Sequence, residues 1–422
     1  MIAVNVPAAT KQISYVDLYA RWERGNWRAT EIDFSQDRID WHERMTPEQR
    51  RSALWLYALF FHGEDSVADN LSPYIDAAPL EEQKYFLTTQ QVDEARHAVF
   101  FQRFMQEVAG HGDGTARGAL AATASQLTWG HRKVFGRLDE MARELRRDRS
   151  PRKLASAVTL YHIVIEASLA QPGQHMIERY LEEYDLLPGF RAGMRHVALD
   201  EQRHIGFGVR LLADLSEQDP GCAEAIVETI REVLPWTATL ALPPDDDGSY
   251  TECFGFTLED LYEEGARSQE ARLRAIGLPV DDLPRFPLPM DLPPRRRAER
   301  GLKLARAGLL GPKHGPASRD REAVEILFDT IRRQADPSLV KPGTTIQWDF
   351  SDAEPWYLRC DNGATVVRAG RAPHADVTLR STFDDFADVS AGRADPRRLM
   401  LRGRMRVRGR PGVLLRLPRL LG

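Results

Sequence analysis

Two stretches, VDEARHAVFF (residues 92–101) and LDEQRHIGFG (residues 199–208), share the pattern Asp-Glu-x-Arg-His. In each copy the Glu and the His are three positions apart. An α-helix turns by about 100° per residue, so two residues three positions apart lie on the same face and reach the same ion. Glu94 with His97, and Glu201 with His204, therefore each offer one carboxylate and one imidazole. Two such helices would supply half of a dinuclear carboxylate site.

The other half needs one carboxylate from each of two further helices. An acid precedes each copy inside an apolar helical run: Glu64 in FFHGEDSVADNL (60–71) and Glu166 in LYHIVIEASLAQ (160–171). An unpaired carboxylate among core residues costs several kcal/mol, which a metal would remove. A single Glu-x-x-His is usually a surface coincidence, but two copies with matched acids predict a site. The predicted metal ligands are Glu64, Glu94, His97, Glu166, Glu201 and His204.

This ligand set suits iron or manganese better than a structural zinc, because it combines carboxylates with imidazoles and has no thiolate. Two acids, Asp93 and Asp200, directly precede the repeated glutamates. A ligating imidazole normally donates its second N–H to a carboxylate, which makes both acids candidates for that partner. The alternative is that they are solvated helix charges. We expect Arg96 and Arg203 to pair with nearby acids.

The composition is that of an ordinary globular protein: 422 residues, 42% hydrophobic, 28% charged, net charge −5. This excludes collagen-like, wholly disordered and strongly nucleic-acid-binding classes. The first residues contain no basic region followed by an apolar run, and we find no apolar run near the roughly 18 residues of a membrane span. The three cysteines are far apart and predict no disulfide framework. We expect a cytoplasmic protein.

The pattern along the chain predicts three parts. From residue 46 to 275 apolar residues recur at helical spacing, with Thr46 and Gln49 forming a predicted capping box. Later helices are predicted over 80–109, 115–146, 151–182, 188–214, 220–240 and 257–276. Six prolines in 277–300 then forbid regular structure, and short β-rich runs follow from about 320. We predict an all-α bundle over 1–276, a Pro-rich linker over 277–319 and an α+β domain over 320–422.

The six predicted ligands, together with WRATEIDFSQDRIDW (27–41), resemble the ferritin-like small subunit of ribonucleotide reductase. They resemble more closely the ligand-binding oxidases related to that subunit, over roughly residues 12–275. The resemblance implies a ferritin-like helical bundle with two metal ions, Mn/Fe or Fe/Fe, and dioxygen as co-substrate. It also implies a homodimer and an electron donor protein as partner. The sequence does not choose between the two metal pairs, since the ligands suit both.

Four positions separate the two branches of this family. The first ligand is Glu64 where the reductase subunit usually has Asp, and Phe101 stands where its common form has a radical-bearing Tyr. Some reductase subunits also lack that Tyr. The ligand-binding oxidases carry a Val and a Tyr at the positions of Val67 and Tyr161, and the resemblance implies an ether cross-link between these two. It also implies a long-chain fatty acid at the metals. The alternative for both side chains is core packing.

Trp27 falls where the reductase subunit has the tryptophan of its electron-transfer chain. The resemblance implies that Trp27, Asp200 and His97 form a buried relay, and the alternative is again core packing. Residues 320–422 resemble the sterol carrier protein type two fold, which implies an apolar tunnel for a lipid. The run 397–422 holds nine arginines and no acid. We expect it to be a solvated face rather than a contact with membrane or nucleic acid.

These observations predict a dioxygen-activating dimetal oxidase that acts on a hydrophobic or fatty-acyl-like substrate. Bound carboxylates would neutralise the metals, and an apolar shell would protect the oxidant. Val67 and Tyr161 are the residues expected to be oxidised. Three alternatives stay open: a tailoring oxygenase or N-oxygenase of specialised metabolism, a non-enzymatic lipid-binding protein whose metals anchor a headgroup, and a ribonucleotide reductase small subunit.

Overall fold

The computed structural model describes residues 2–283, 286 and 288–421. The chain forms two compact units, Met1–Asp281 and Asp282–Gly422. The first is helical, and the second combines helices with a five-stranded sheet. The predicted fold class, an all-α bundle followed by a smaller α+β domain, is confirmed.

The first unit is built from long helices connected by short helical turns. The long helices are α1 (Tyr15–Arg24), α2 (Pro47–Asn70), α3 (Glu81–Glu107), α4 (Trp129–Arg147), α5 (Pro151–Val158), α6 (Gln171–Glu183), α7 (Pro188–Gln218), α8 (Pro220–Thr237) and α9 (Leu258–Ile276). The short segments are Ala8–Lys11, Ala29–Glu31, Ser35–Ile39, Asp40–Arg44, Ser72–Ala77, Ala116–Thr123, Ala124–Gln126, Pro244–Asp246, Ser249–Glu252 and Val280–Asp282.

Side-chain hydrogen bonds mark the first residues of two long helices, α2 and α7. Helix α2 starts at the predicted capping box, in which Thr46 Oγ1 accepts the N–H of Gln49 at 3.1 Å and the Gln49 side chain accepts the N–H of Thr46 at 3.0 Å. Helix α7 starts against the segment 27–41. There Asp37 accepts the backbone N–H groups of Gly189 at 2.8 Å and Phe190 at 2.7 Å. These bonds satisfy N–H groups that have no partner within the helix.

The segment between α5 and α6 differs from the α-helix that we predicted over 151–182. Residues Thr159–Ala170 form a π-helix, in which hydrogen bonds join residues five apart. In an α-helix, Tyr161 and Glu166 would point about 140° apart. The wider π turn brings these two residues to the same side, which the α-helical prediction could not do.

A stretch of this region is apolar and long enough to cross a membrane by length and composition. It covers Pro151–Glu183, and 78% of its most apolar 18-residue stretch is buried inside the structure. It also carries Glu166, a charged side chain that is costly in lipid. We therefore interpret it as a core segment of the first unit. The cytoplasmic location stays a prediction.

The second unit combines helices with a mixed five-stranded sheet. Its helices are α10 (Pro294–Arg306), α11 (Arg321–Gln334), α12 (Phe383–Ser390) and α13 (Pro396–Leu401), with short segments Pro337–Leu339, Pro411–Leu414 and Leu417–Leu421. Its strands are β1 (Thr344–Phe350), β2 (Trp356–Cys360), β3 (Thr365–Ala369), β4 (Val377–Ser381) and β5 (Arg406–Gly409). The strand order is β3-β2-β1-β4-β5, and only β1 and β4 pair in parallel.

Aromatic side chains fill the core between this sheet and its helices. Phe328 of α11 stacks on Trp356 of β2, with ring centroids 4.6 Å apart, and on Phe386 of α12 at 5.5 Å. Trp348 of β1 packs edge-on against Phe328 at 5.3 Å. The apolar tunnel that the resemblance implies stays a prediction.

Much of the segment that we predicted as a linker, 277–319, lies in this second unit. Leu304 and Leu309 are buried in its core, and Lys313 forms ion pairs with Asp384 at 2.6 Å and Asp388 at 2.9 Å. Prolines restrict local hydrogen bonding but do not prevent the flanking residues from packing. Pro284, Arg285 and Pro287 of that segment lie outside the described residues.

Helix α7 approaches α3 closely at a glycine. A Cβ atom on Gly193 would lie 2.1 Å from Cε2 of Phe100, which is fully buried. Farther along the same helix, a Cβ atom on Gly206 would meet nothing within 4 Å. The two glycines thus differ in packing although they share one helix.

We predict that Gly193→Ala destabilises the protein by about 1–3 kcal/mol, because the added methyl group overpacks the contact with Phe100. Gly206→Ala is the matched control and should stabilise the helix by about 0.5–1 kcal/mol. Urea unfolding followed by circular dichroism measures both. Equal effects of the two substitutions would contradict the close approach of α3 and α7.

Candidate metal centre

The structure brings all six predicted ligands together inside the first unit. Helix α2 supplies Glu64, α3 supplies Glu94 and His97, the π-helix supplies Glu166, and α7 supplies Glu201 and His204. All six side chains are buried. Their donor atoms form two groups in which every atom lies within 4.8 Å of the others: Glu64, Glu94, His97 and Glu201 in one, and Glu94, Glu166 and His204 in the other.

Two of the glutamates reach both imidazoles. Nδ1 of His97 lies 3.5 Å from Glu94 and 3.6 Å from Glu201. Nδ1 of His204 lies 3.2 Å from Glu94 and 3.7 Å from Glu201. The other two carboxylates each lie near one imidazole. Glu64 is 3.3 Å from His97, and Glu166 is 3.5 Å from His204. If two ions bind here, Glu94 and Glu201 would therefore contribute to holding both.

Unpartnered atoms in this cluster support the presence of metals. Oε2 of Glu166, Oε2 of Glu201 and Nδ1 of His204 are buried and have no hydrogen-bond partner. A buried polar atom without a partner is costly, so few persist in a native protein. Because these three atoms are ordinary metal donors, the cluster fits a dinuclear site.

Electrostatics lead to the same conclusion. Burial raises the pKa of Glu64 and of Glu166 well above the usual range. Burial also opposes ionisation of Glu94, but His204 and His97 beside it hold the pKa of that carboxyl well below its usual range. For His97 burial lowers the pKa, yet Glu64 and Asp200 raise it well above the ordinary value. The metal-free cluster therefore holds protons that bound metals would displace.

The second nitrogen of each histidine is held by the acid of the other repeat. Nε2 of His97 donates to Asp200 at 3.1 Å, and Nε2 of His204 donates to Asp93 at 3.0 Å. When the imidazoles are neutral, this arrangement leaves the Nδ1 lone pairs facing the glutamates, as metal binding requires. Both acids are 1% exposed, so the alternative that they are solvated charges is wrong.

The repeated arginines complete this arrangement. Nη2 of Arg96 contacts Asp93 and lies 3.0 Å from Asp200. Nη2 of Arg203 contacts Asp200 and lies 3.2 Å from Asp93. The two arginines balance the charge of the two aspartates. Once bound metals displace the protons, the four glutamates would carry four negative charges, which equal the charge of two divalent ions.

Trp27 occupies the position that the resemblance implied. Its Nε1 donates to Asp200 at 2.8 Å, and Asp200 in turn accepts from His97. Phe101 is fully buried and stacks on Phe60, with ring centroids 5.8 Å apart. Because this residue is Phe, it offers no phenol hydroxyl at the position of the radical-bearing Tyr.

Sequence reasoning missed Gln90, which is fully buried on α3. Its Nε2 donates to the hydroxyl of Tyr161 at 3.0 Å and to Glu166 at 2.9 Å. Tyr161 donates to Glu94 at 2.6 Å. Gln90 lies four residues before Glu94, on the same helical face, and this spacing is the signal that could have found it.

Sequence reasoning also missed Trp22. Its Nε1 donates to Asp93 at 2.8 Å, as that of Trp27 does to Asp200. No local pattern in the sequence distinguishes this tryptophan from an ordinary helix residue.

An apolar cavity of about 70 Å³ adjoins the cluster. Val67 and Tyr161 both line it, beside the ligands Glu64, Glu166 and Glu201. The rest of its wall is almost entirely apolar: Leu56, Leu59, Phe60, Gly63, Phe135, Ile165, Leu169, Ala170, Gly173, Leu240, Ala241 and Leu261, with Glu94 and His131 as further polar residues. This volume holds several water-sized groups, each of which needs about 10–15 Å³.

Both units of the chain match known protein families. Residues 8–235 match the ribonucleotide reductase small chain, a span that includes all six clustered side chains. The chain belongs to the ribonucleotide reductase small chain family. Residues 327–422 match the sterol carrier protein type two (SCP-2) sterol transfer family, as the second resemblance predicted.

Solved structures that are similar to this chain include R2-like ligand-binding oxidases. An R2-like ligand-binding oxidase from Sulfolobus acidocaldarius is 28% identical, with a TM-score of 0.52, and covers 62% of this chain and 89% of its own. A variant R2-like ligand-binding oxidase with an anaerobically reconstituted Mn/Fe cofactor is 26% identical, with a TM-score of 0.55, over 63% of this chain and 93% of its own. The predicted resemblance to ligand-binding oxidases is confirmed.

The crossed pairing of the repeats generates a specific prediction. Asp93→Asn should lower the affinity for the metal held by Glu94, Glu166 and His204 by about 10–100-fold, since the imidazole of His204 loses its charged partner. Asp200→Asn is the matched variant and should weaken the metal beside His97 instead. Anomalous diffraction at the metal edges would measure the occupancy of each position. Loss beside the histidine of the same repeat would contradict the crossed pairing.

Proposed function

We propose that the chain is a dioxygen-activating dimetal oxidase whose substrate is hydrophobic and fatty-acyl-like. One observation carries the proposal: a buried cluster of dinuclear type opens into an apolar cavity. When bound, the two metals, Mn/Fe or Fe/Fe, would supply electrons to dioxygen and the oxidising power to break a strong C–H or O–H bond. The neighbouring oxidase with a Mn/Fe cofactor supports this assignment.

The protein's own contribution begins with holding the metals. Glu94 and Glu201 lie near both imidazoles and would help to hold both ions, whereas Glu64 and Glu166 would each help to hold one. His97 and His204 are fixed in orientation by the crossed aspartates. Ligands whose orientation is fixed in this way would hold two metal ions without rearrangement of the protein.

The cavity wall sets the proposed substrate class. Its side chains are mainly aliphatic and aromatic, which excludes water from the reacting centre and favours an apolar ligand. The cavity volume of about 70 Å³ accommodates the reacting end of a substrate. A long acyl chain would extend past Leu169, Leu240 and Leu261, with movement of these side chains.

The finer proposal is an ether cross-link between Val67 and Tyr161. Its formation would break a C–H bond of Val67 and the O–H bond of Tyr161, form a C–O bond, and pass two electrons and two protons to dioxygen. Burial raises the pKa of Tyr161 well above its usual range, so the phenol is protonated at neutral pH. Its proton points at Glu94, which lies 2.6 Å away and is the group placed to receive it.

Mass spectrometry tests the cross-link. After aerobic metal loading, the peptides that contain Val67 and Tyr161 should appear joined, with two hydrogens fewer than their sum. Tyr161→Phe should abolish the joined species. Wild-type protein that binds two metals and consumes dioxygen but yields only separate peptides would overturn this part of the proposal.

The second unit would assist with the apolar ligand, and its sterol transfer family supports that role. A homodimer and an external electron donor stay predictions from the resemblance. The carrier alternative makes a different prediction: dioxygen uptake that is indifferent to every added lipid or amine. Stimulation by amines alone would favour the N-oxygenase.

A cavity-filling variant tests the substrate site. Leu169→Trp should reduce fatty-acid-stimulated dioxygen uptake at least about tenfold, because the indole occupies the space for the chain. Metal content should not change, since Leu169 is not among the clustered ligands. Leu199→Trp, at a residue that is 57% exposed, is the control and should have no effect. Unchanged stimulation in Leu169→Trp would refute this cavity as the substrate site.

A further inference from the structure

Two tryptophans approach the candidate metal centre by equivalent routes. Trp27 Nε1 donates to Asp200 at 2.8 Å, and Asp200 accepts from His97 at 3.1 Å. Trp22 Nε1 donates to Asp93 at 2.8 Å, and Asp93 accepts from His204 at 3.0 Å. Each route joins an indole through one carboxylate to an imidazole of the cluster. The two routes therefore end on different sides of the dinuclear site.

The surroundings of the two indoles differ. Trp27 is 8% exposed, and the ring of His196 stacks on it at 5.1 Å. The guanidinium of Arg96 also lies 5.1 Å from the centre of the Trp27 ring. A cation over an aromatic ring interacts favourably with its electrons, and so opposes the removal of one of them. Among the described residues, no cation lies over the ring of Trp22.

Trp22 is also the indole that a solute can reach. Its side chain is half-buried and lines an open apolar groove on the surface of the first unit. Tyr15, Val16, Tyr19 and Tyr85 contribute to the same groove. The rings of Tyr19 and Trp22 are 5.8 Å apart. A small molecule in this groove would touch Trp22 directly.

We propose that Trp22 passes electrons from external reductants to the side of the dimetal site held by His204. The inference rests on the proposed oxidase function. In the step, the indole of Trp22 would give up one electron toward the metals that His204 and its neighbours would hold. The indole keeps its N–H proton, because Asp93 already pairs with Arg96 and Arg203. The resulting positive charge lies beside the Asp93 carboxylate.

A one-electron reductant of the ascorbate class completes the cycle. It returns an electron to Trp22 and releases its own proton to solvent, so Trp22 ends unchanged and the site has gained one electron. Asp93 serves as the positioning residue between indole and imidazole. Without a reductant, water would instead add to the oxidised indole, and loss of a second electron to the oxidised site and of two protons to solvent would leave a permanently hydroxylated Trp22.

Peptide mass spectrometry of the full chain gives the first test. The protein is loaded with Mn(II) and Fe(II) and exposed to dioxygen with or without ascorbate. Without ascorbate, we expect oxygenated products at Trp22 and little modification at Trp27, and ascorbate should suppress the products. Trp129, outside both routes, is the internal control. Equal modification of Trp22 and Trp129, or modification that needs no metal, would overturn the proposal.

The rate at which ascorbate reduces the oxidised site, followed by optical absorbance, gives the second test. Trp22→Phe should slow it about tenfold, a barrier increase of about 1.4 kcal/mol. Trp129→Phe, outside both routes, is the control and should leave the rate nearly unchanged. Trp22→Tyr, which keeps an oxidisable ring, should restore part of the rate.

Metal content is measured for every variant, so that loss of the site is not mistaken for loss of the route. An unchanged rate in Trp22→Phe with both metals bound would refute the role of Trp22. If Trp22→Phe fails to bind both metals, the role of Trp22 is judged from Trp22→Tyr and from the wild-type peptides. A Trp22→Tyr rate equal to that of the wild type, together with unmodified Trp22 in the wild-type protein, would refute this role. Wild-type protein that fails to bind two metals or to consume dioxygen would remove the proposed oxidase and, with it, this inference.

Discussion

The constraint on which the first unit depends is the electrostatic cost of gathering like charges in a dry interior. Six acids come together here, four glutamates and two aspartates. Arg96 and Arg203 balance Asp93 and Asp200 in a closed arrangement, which confines the remaining negative charge to the glutamates. Removing one partner from such a buried group leaves an uncompensated charge. The helices that carry the repeats are therefore held together by charge as well as by apolar contact.

The six clustered side chains could be predicted from the sequence because helical spacing alone decides which residues share a face. The crossed pairing could not, since whether Asp93 reaches its own histidine or that of the other repeat depends on how the helices pack. Trp22 was missed because its partner Asp93 lies on another helix, whereas Gln90 shares a helical face with Glu94 and could have been found from that spacing. The π-helix escaped prediction because its apolar composition is equally compatible with an ordinary α-helix.

The organisation of the second unit was predicted less completely. Its strands alternate clearly enough to be located, and the resemblance to the sterol carrier protein type two fold is supported by the family match. The packing of residues between 294 and 317 into that unit was hidden by prolines, which signal irregular backbone but say nothing about burial. In this region, periodicity carries less information than tertiary packing.

The π-helix at Thr159–Ala170 has to meet two requirements at once: Tyr161 and Glu166 lie on the same side, and the helix that follows packs against its neighbours. Removing one residue would either tighten these turns to α-helical geometry, which separates Tyr161 from Glu166, or rotate the residues after it by about 100°. Gly173, just beyond, sits where a Cβ atom would be 3.0 Å from Phe60, so that rotation would place bulkier groups against the cavity wall. A length change in this segment would therefore force a choice between aligning Tyr161 with Glu166 and packing the next helix, and it should be tolerated far less than in an ordinary helix of the same composition.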